Sequence, residues 1–324
     1  MVVILPKERV VMTLCWKKFI GLVLGGLMSL VSIHAQSVPV LQAKPVAKVN
    51  GQELTRAAWD QAVLRLPPVP AHFTEQQRLA LHHELLGLMV DEMLFRQFLN
   101  QNVQPPEQAQ VDQRITELEN SLKARKMTLN EYLTDSKQTM EQLRSGIAQE
   151  LQWQRYLAQR LEKVDLKEYY EQNKEMFDGV VIRVSHLALP LPPKCSAKDE
   201  AAAMAQMQSI HKELSAGLDF AAAVKKYVQE GSTIRGGDLG YFPPRRSDQD
   251  PFIRTASHLK VGQISDIVRS DFGLHLLKVT DRKEGQPSDY ESIKDSVRAV
   301  YGDDLRMQII MQQRKTAKIE VNLP

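Results

Sequence analysis

The sequence predicts an α+β protein in which a mainly helical module is interrupted by a compact unit, a small antiparallel sheet surrounded by helices. Three observations carry that prediction. Residues 53–163 repeat apolar side chains at helical spacing, and at Val180 this gives way to the β-rich run Val-Val-Ile-Arg-Val-Ser-His-Leu-Ala-Leu. Beyond residue 286 the helical period returns.

Taken in order, Val46-Ala47-Lys48-Val49 alternates and runs into Asn50-Gly51, a strong hairpin signal, with Thr55 placed to cap the next helix. Thr74-x-x-Gln77 has the form of a capping box, and Leu81, Leu85, Leu88, Met89, Met93 and Leu94 share one face, which predicts a helix over 74–100. Pro105-Pro106 ends it, and a third helix runs to about Lys126. Thr128-x-x-Glu131 caps another, whose stripe continues through Leu143, Ile147, Leu151, Tyr156 and Leu157, and Asp165-x-x-Glu168 opens a short helix through Tyr169 and Tyr170.

Residues 180–283 read as a strand, helices at 197–216 and 219–228, a glycine turn at Gly236-Gly237, a short strand, a helix at 249–257, and strands near 264–269 and 274–281. The tail opens on the capping box Ser288-x-x-Glu291 and carries Ile293, Val297, Val300, Tyr301, Leu305 and Ile309 on one helical face before an alternating end. Such a helix draws its stability from burial. It is expected to fold back on the N-terminal helices, with 319–323 pairing with 46–49. The domain expectation is a helical domain at 46–177, an inserted unit at 180–283, and a C-terminal helix and strand at 286–324 that complete the first domain.

Lys7, Arg9, Lys17 and Lys18 precede the apolar run Phe19 to Ile33, which is followed by Ala35, so residues 1–35 read as a secretory signal peptide. The run is shorter than the roughly 20 residues a spanning helix needs, so cleavage near Ala35 is expected. The product would be an exported protein of the periplasm or cell envelope, soluble after cleavage and touching the membrane only through an uncleaved signal segment. Cys15 lies before the apolar run, which disfavours lipid anchoring, and Cys195 alone survives cleavage, which excludes an intramolecular disulfide. The net charge of +3 is also set by residues 1–35: the other 289 hold 38 basic and 38 acidic side chains. A neutral mature chain argues against nucleic-acid binding.

His82-His83-Glu84 lacks the second histidine of a zinc-protease helix, and no nucleophile elbow or phosphate loop is present. The methionines at 89, 93, 127, 140, 307 and 311 suit either a core at helical spacing or an adaptable surface for varied clients.

Five ordered motifs are more specific. Val184-Ser-His-Leu-Ala-Leu189, Phe220-Ala-Ala-Ala-Val-Lys-Lys-Tyr227, Arg235-Gly-Gly-Asp-Leu-Gly-Tyr-Phe242, Leu259-Lys-Val-Gly-Gln-Ile-Ser265 and Phe272-Gly-Leu-His-Leu-Leu-Lys-Val279 resemble, in order, the motifs of the parvulin isomerases. The flanks resemble the exported foldases SurA and PrsA through Val46-Ala-Lys-Val-Asn-Gly-Gln-Glu-Leu-Thr55, Leu88-Met-Val-Asp-Glu-Met-Leu94 and Tyr169-Tyr-Glu-Gln-Asn-Lys-Glu-Met-Phe177. The resemblance implies a SurA-like helical chaperone module with an inserted parvulin domain. It implies peptidyl-prolyl cis/trans isomerisation, with unfolded or partly folded exported polypeptides containing Xaa–Pro as partners. Rotation about that bond faces a barrier of about 20 kcal/mol and makes or breaks no bond, so no metal or cofactor is needed. What is needed is a pocket for the proline ring and groups that favour the twisted amide.

The resemblance maps His186 and His275 to the two facing histidines at the centre of such sites, where neutral imidazoles can pair through one donor and one acceptor nitrogen. The other reading of both is a satisfied core histidine without a chemical role. Glu230 aligns with a position usually held by Cys or Asp near the substrate carbonyl, where a carboxylate would destabilise the planar amide; the competing reading is a solvated loop residue. Phe252 supplies a wall for the proline ring, and Phe272 is placed in the substrate pocket. Asp248 stands where Met or Leu usually lines that pocket and Ser257 where a second Phe usually sits, which makes the floor smaller and more polar. Lys194 and Lys198 without an arginine cluster point to ordinary rather than phosphorylated Xaa–Pro peptides. The polar substitutions leave an alternative, a non-catalytic holdase whose degenerate parvulin domain is a peptide-binding platform.

Overall fold

The computed structural model describes residues 44–67, 69, 73–191, 195–227, 237–245, 251–270 and 273–322. The expected signal segment and the site candidates Glu230, Asp248 and Phe272 lie outside the described residues. The chain divides into two compact units: Asp165–Asp304, and the residues up to Val164 together with Leu305–Pro324.

The second of these begins with a hairpin of β1 (Ala47–Val49) and β2 (Gln52–Leu54). Asn50 and Gly51 turn it with φ of 51° and 83°, positive at both central residues as the tight hairpin turn requires. β7 (Ile319–Val321) pairs antiparallel with β1, Ala47 opposite Val321 and Val49 opposite Ile319, so the expected pairing of the tail with the first strand is present. Thr55 accepts from the Ala58 N–H at 3.2 Å and caps α1 (Arg56–Arg65). The long α2 (Glu75–Asn102) then buries Leu85, Met89, Met93 and Leu94 against Val49, Leu54 and Trp59. Met89 and Met93 are thus core, whereas Met140 and Met307 are exposed.

α3 spans Gln108–Ala124. The stripe from Thr128 to Leu157 is not one helix, as the sequence had implied: the Thr128 box caps only α4 (Leu129–Asp135), and a second box, Thr139 with Gln142, starts α5 (Met140–Leu161). Lys137, at φ 52°, turns the chain between them. The second box closes reciprocally, with Gln142 N–H on Thr139 Oγ1 at 3.2 Å and Thr139 N–H on Gln142 Oε1 at 3.0 Å.

The unit Asp165–Asp304 opens with α6 (Leu166–Gln172), capped by Asp165, and α7 (Lys174–Phe177). There follow β3 (Val181–Pro190), α8 (Ala197–Ser215), α9 (Phe220–Tyr227) and β4 (Gly237–Phe242). α10 (Pro251–His258), β5 (Val268–Ser270) and β6 (Gly273–Lys283) complete the sheet region. The sheet is antiparallel in the order β4-β3-β6-β5. The strand expected from 264 begins at Val268; Ile264 makes a single bridge to Lys278.

β3 and β6 are apolar on both faces because helices cover both. One face sends Leu187, Leu189, Leu274 and Leu276 against Met207, Ile210 and Phe220 of α8 and α9. The other sends Val184, Leu277 and Val279 against Ala256 and Phe252 of α10.

The final helix, α11 (Tyr290–Thr316), begins one residue later than its expected box would place it. Ser288 does not cap it; the Asp289 carboxylate accepts from Ser292 N–H at 3.0 Å. Ser288 instead donates its N–H and Oγ–H to Oδ1 of Asp178 at 2.7 and 2.8 Å.

Candidate active site

Strand pairing places the two histidines. His186 lies opposite Leu277 on the paired strand and His275 opposite Ala188, so the two are diagonal neighbours on the face that α10 covers. Their ring centroids stand 6.0 Å apart with planes 18° from parallel. Phe252, near the N-terminus of α10, presents its ring edge-on to both: 5.8 Å and 81° from His186, 5.8 Å and 90° from His275. Both imidazoles are buried, at 7% and 5% exposure, while Phe252 stays partly open.

The histidines do not pair through their ring nitrogens. His275 Nε2 is bonded to Ser270 Oγ at 2.7 Å, and its buried Nδ1 makes no hydrogen bond. Ser270 takes the His275 nitrogen that such a pairing would use. Ser270 was missed in the sequence; its signal is only its place at the end of β5, five residues before His275.

Burial first, then the neighbouring His186 and Arg269, press the His275 pKa from its usual 6.5 down to about 4. The ring is therefore neutral at physiological pH. Protons bind the unfolded chain more readily than the folded one between these values, so the contribution to stability is complete above about pH 6.5 and is lost as pH falls towards 4. Acidification from pH 7 to 4 is expected to cost about 2–3 kcal/mol through this residue, and a His275→Phe variant should flatten that part of the urea-unfolding profile.

Ser257 is also near, but its hydroxyl is not offered to a pocket. It is 3% exposed, accepts from the Arg245 N–H at 2.7 Å and donates to the Ile253 carbonyl at 2.7 Å. The structure thus gathers His186, His275 and Phe252 into one three-ring cluster and sets Ser257 behind it in α10. The arrangement sets a partly exposed aromatic ring beside two buried imidazoles, of which His275 is held neutral.

The rotamase family, described as the PPIC-type PPIASE domain, matches residues 186–281. The foldase protein PrsA of Geobacillus sp. (strain WCH70) is 37% identical over 161 residues, 48% of this chain and 52% of that protein. The foldase protein PrsA of Clostridium botulinum (strain Loch Maree / Type A3) is 24% identical over 327 residues, 88% of this chain and 90% of that one. The chain thus spans about half the length of the first relative and most of the second. Among solved structures, peptidylprolyl isomerase PrsA from Bacillus anthracis is 23% identical with a TM-score of 0.42, covering 70% of this chain and 96% of that one. The five motifs, the four-stranded sheet and the histidine pair all fall in or beside the segment, residues 186–281, that matches the PPIC-type PPIASE domain of the rotamase family.

Proposed function

We propose that this chain is a foldase of exported proteins, whose isomerase unit accelerates cis/trans exchange at Xaa–Pro bonds without a cofactor and whose helical unit holds unfolded clients. The observation that supports it most is the partly exposed Phe252 ring, set edge-on to two buried imidazoles. In this reading the proline ring packs on Phe252, and Glu230, Asp248 and Phe272 line the remainder of the pocket. His275, held neutral, keeps the wall uncharged beside a twisting amide that carries no net charge. Ser257 contributes by fixing α10 rather than by touching the peptide. In this reading residues 1–35 direct export, and N-terminal sequencing of the secreted chain should find a start near Gln36.

A protease-coupled assay on an Ala–Pro peptide should show a rate well above background. Phe252→Ala is expected to remove about 1.5 kcal/mol of proline contact, roughly tenfold in KM, with a smaller effect on melting because the wall is partly open when empty. A wild-type rate equal to background would sink the isomerase reading.

A further inference from the structure

Two side chains outside the matched segment are tied to α10 through Arg245. Tyr169 of α6 donates its hydroxyl to Oδ2 of Asp304 on α11, and Arg245, which follows β4, donates from its guanidinium to Oδ1 of the same carboxylate. Arg245 and Asp304 are only about a quarter exposed, at 25% and 28%. The Arg245 backbone N–H then bonds Ser257 Oγ, which bonds back to Ile253, so Asp304, Arg245 and α10 form one hydrogen-bonded chain ending beside Phe252.

The elements that carry Tyr169 and Asp304 are themselves held together. Asp178 accepts from Gln286 N–H at its carbonyl, 2.7 Å, and from Ser288 at its carboxylate, while the Tyr170 hydroxyl donates to the Ser288 carbonyl at 2.7 Å. Gly285 permits this approach: a Cβ there would stand 1.8 Å from the Asp178 carbonyl oxygen. Tyr169 also packs edge-on to Tyr301, 5.3 Å between centroids. Burial and the bond to Asp304 raise the Tyr169 pKa, so its phenol remains a donor.

We propose that Asp304 and Tyr169 are positioning residues for isomerisation: their clamp on Arg245 sets α10, and with it the Phe252 ring relative to the two histidines. The working isomerase unit is then 165–304, and the flanking helices are part of it. This rests on the isomerase reading above. The pair keeps about a quarter of its surface open to solvent and contributes at most about 1 kcal/mol to stability, so its effect falls on where Arg245 and α10 sit rather than on whether the unit folds.

The test uses the full mature chain. Asp304→Asn and Tyr169→Phe are expected to raise KM for an Ala–Pro peptide three- to fivefold while kcat stays within twofold, and Asp304→Glu should recover part of that loss. Amide exchange at Arg245, whose N–H bonds Ser257, should quicken at least tenfold in Asp304→Asn. Unchanged KM with unchanged Arg245 protection overturns the proposal. So does an equal fall in kcat and kcat/KM that tracks a lowered melting midpoint, which would make the clamp merely structural. If the wild-type chain proved inactive, the isomerase reading would fail by itself. The clamp would then be judged by Arg245 protection and by the affinity of the same peptide, and no change in either would overturn it.

Discussion

A Gly273→Ala variant is expected to lose most of the stability of the isomerase unit. Gly273 opens β6 at φ 146°, a conformation that side-chain-bearing residues rarely adopt. Space is tighter still: a Cβ would stand 2.1 Å from the Leu189 carbonyl oxygen and 2.9 Å from the Leu191 nitrogen. Both atoms are backbone, and Leu189 is held in register opposite Leu274, so neither can swing aside as a side-chain tip would. The β3–β6 ladder must shift, and it is the ladder that places both histidines. Strain and displacement together cost about 3–5 kcal/mol, a large share of the 5–15 kcal/mol typical of a folded domain. Urea unfolding should show it directly; a midpoint unchanged from wild type would mean that the backbone there relaxes freely and the close approach is not required.

The second large effect is expected at His275. Truncation to alanine removes a ring packed between His186 and Phe252, opens a cavity in a 5%-exposed site, and takes from Ser270 the acceptor or donor it meets at 2.7 Å. The lost packing and the broken hydrogen bond together cost about 2–4 kcal/mol, lowering the melting midpoint by roughly 6–12 °C. Isomerisation measured well below that midpoint should fall less steeply, because in this account the imidazole supports the wall and does not act on the amide. Abolished turnover with an unchanged midpoint would show that the ring acts on the substrate.

Much of this fold was legible because its signals are local. Thr55, Thr128 and Asp165 cap the helices that follow them, and Asn50-Gly51 turns the hairpin it announces. The β-rich run from Val180 and the strand expected near 274–281 are β3 and β6. What failed was decided by partners far along the chain. Ser288 has the spacing of a cap, yet Asp178, 110 residues earlier, takes both its donors, and Asp289 caps instead. The helix break at 136–138 was written in a second capping box, but a continuous apolar stripe through Leu157 hid it.

At the site, motif order located His186, His275 and Phe252, and the structure brings those three together. Ring orientation was beyond the sequence: whether two imidazoles meet edge to edge or stack depends on the twist between strands and on what Phe252 and Ser270 occupy. Ser257 shows the same limit, since alignment made it a pocket-floor residue, whereas its hydroxyl is taken up by Arg245 and Ile253.

The central claim, that Xaa–Pro rotation is catalysed at the face shared by β3, β6 and α10, is tested most directly by titrating the isotope-labelled mature chain with an Ala–Pro peptide and following both partners by NMR. The account predicts shift changes centred on His186, Phe252 and His275, with exchange cross-peaks between the cis and trans peptide at rates far above the uncatalysed tens to hundreds of seconds. Shift changes confined to residues 44–164, with no exchange cross-peaks, would contradict it.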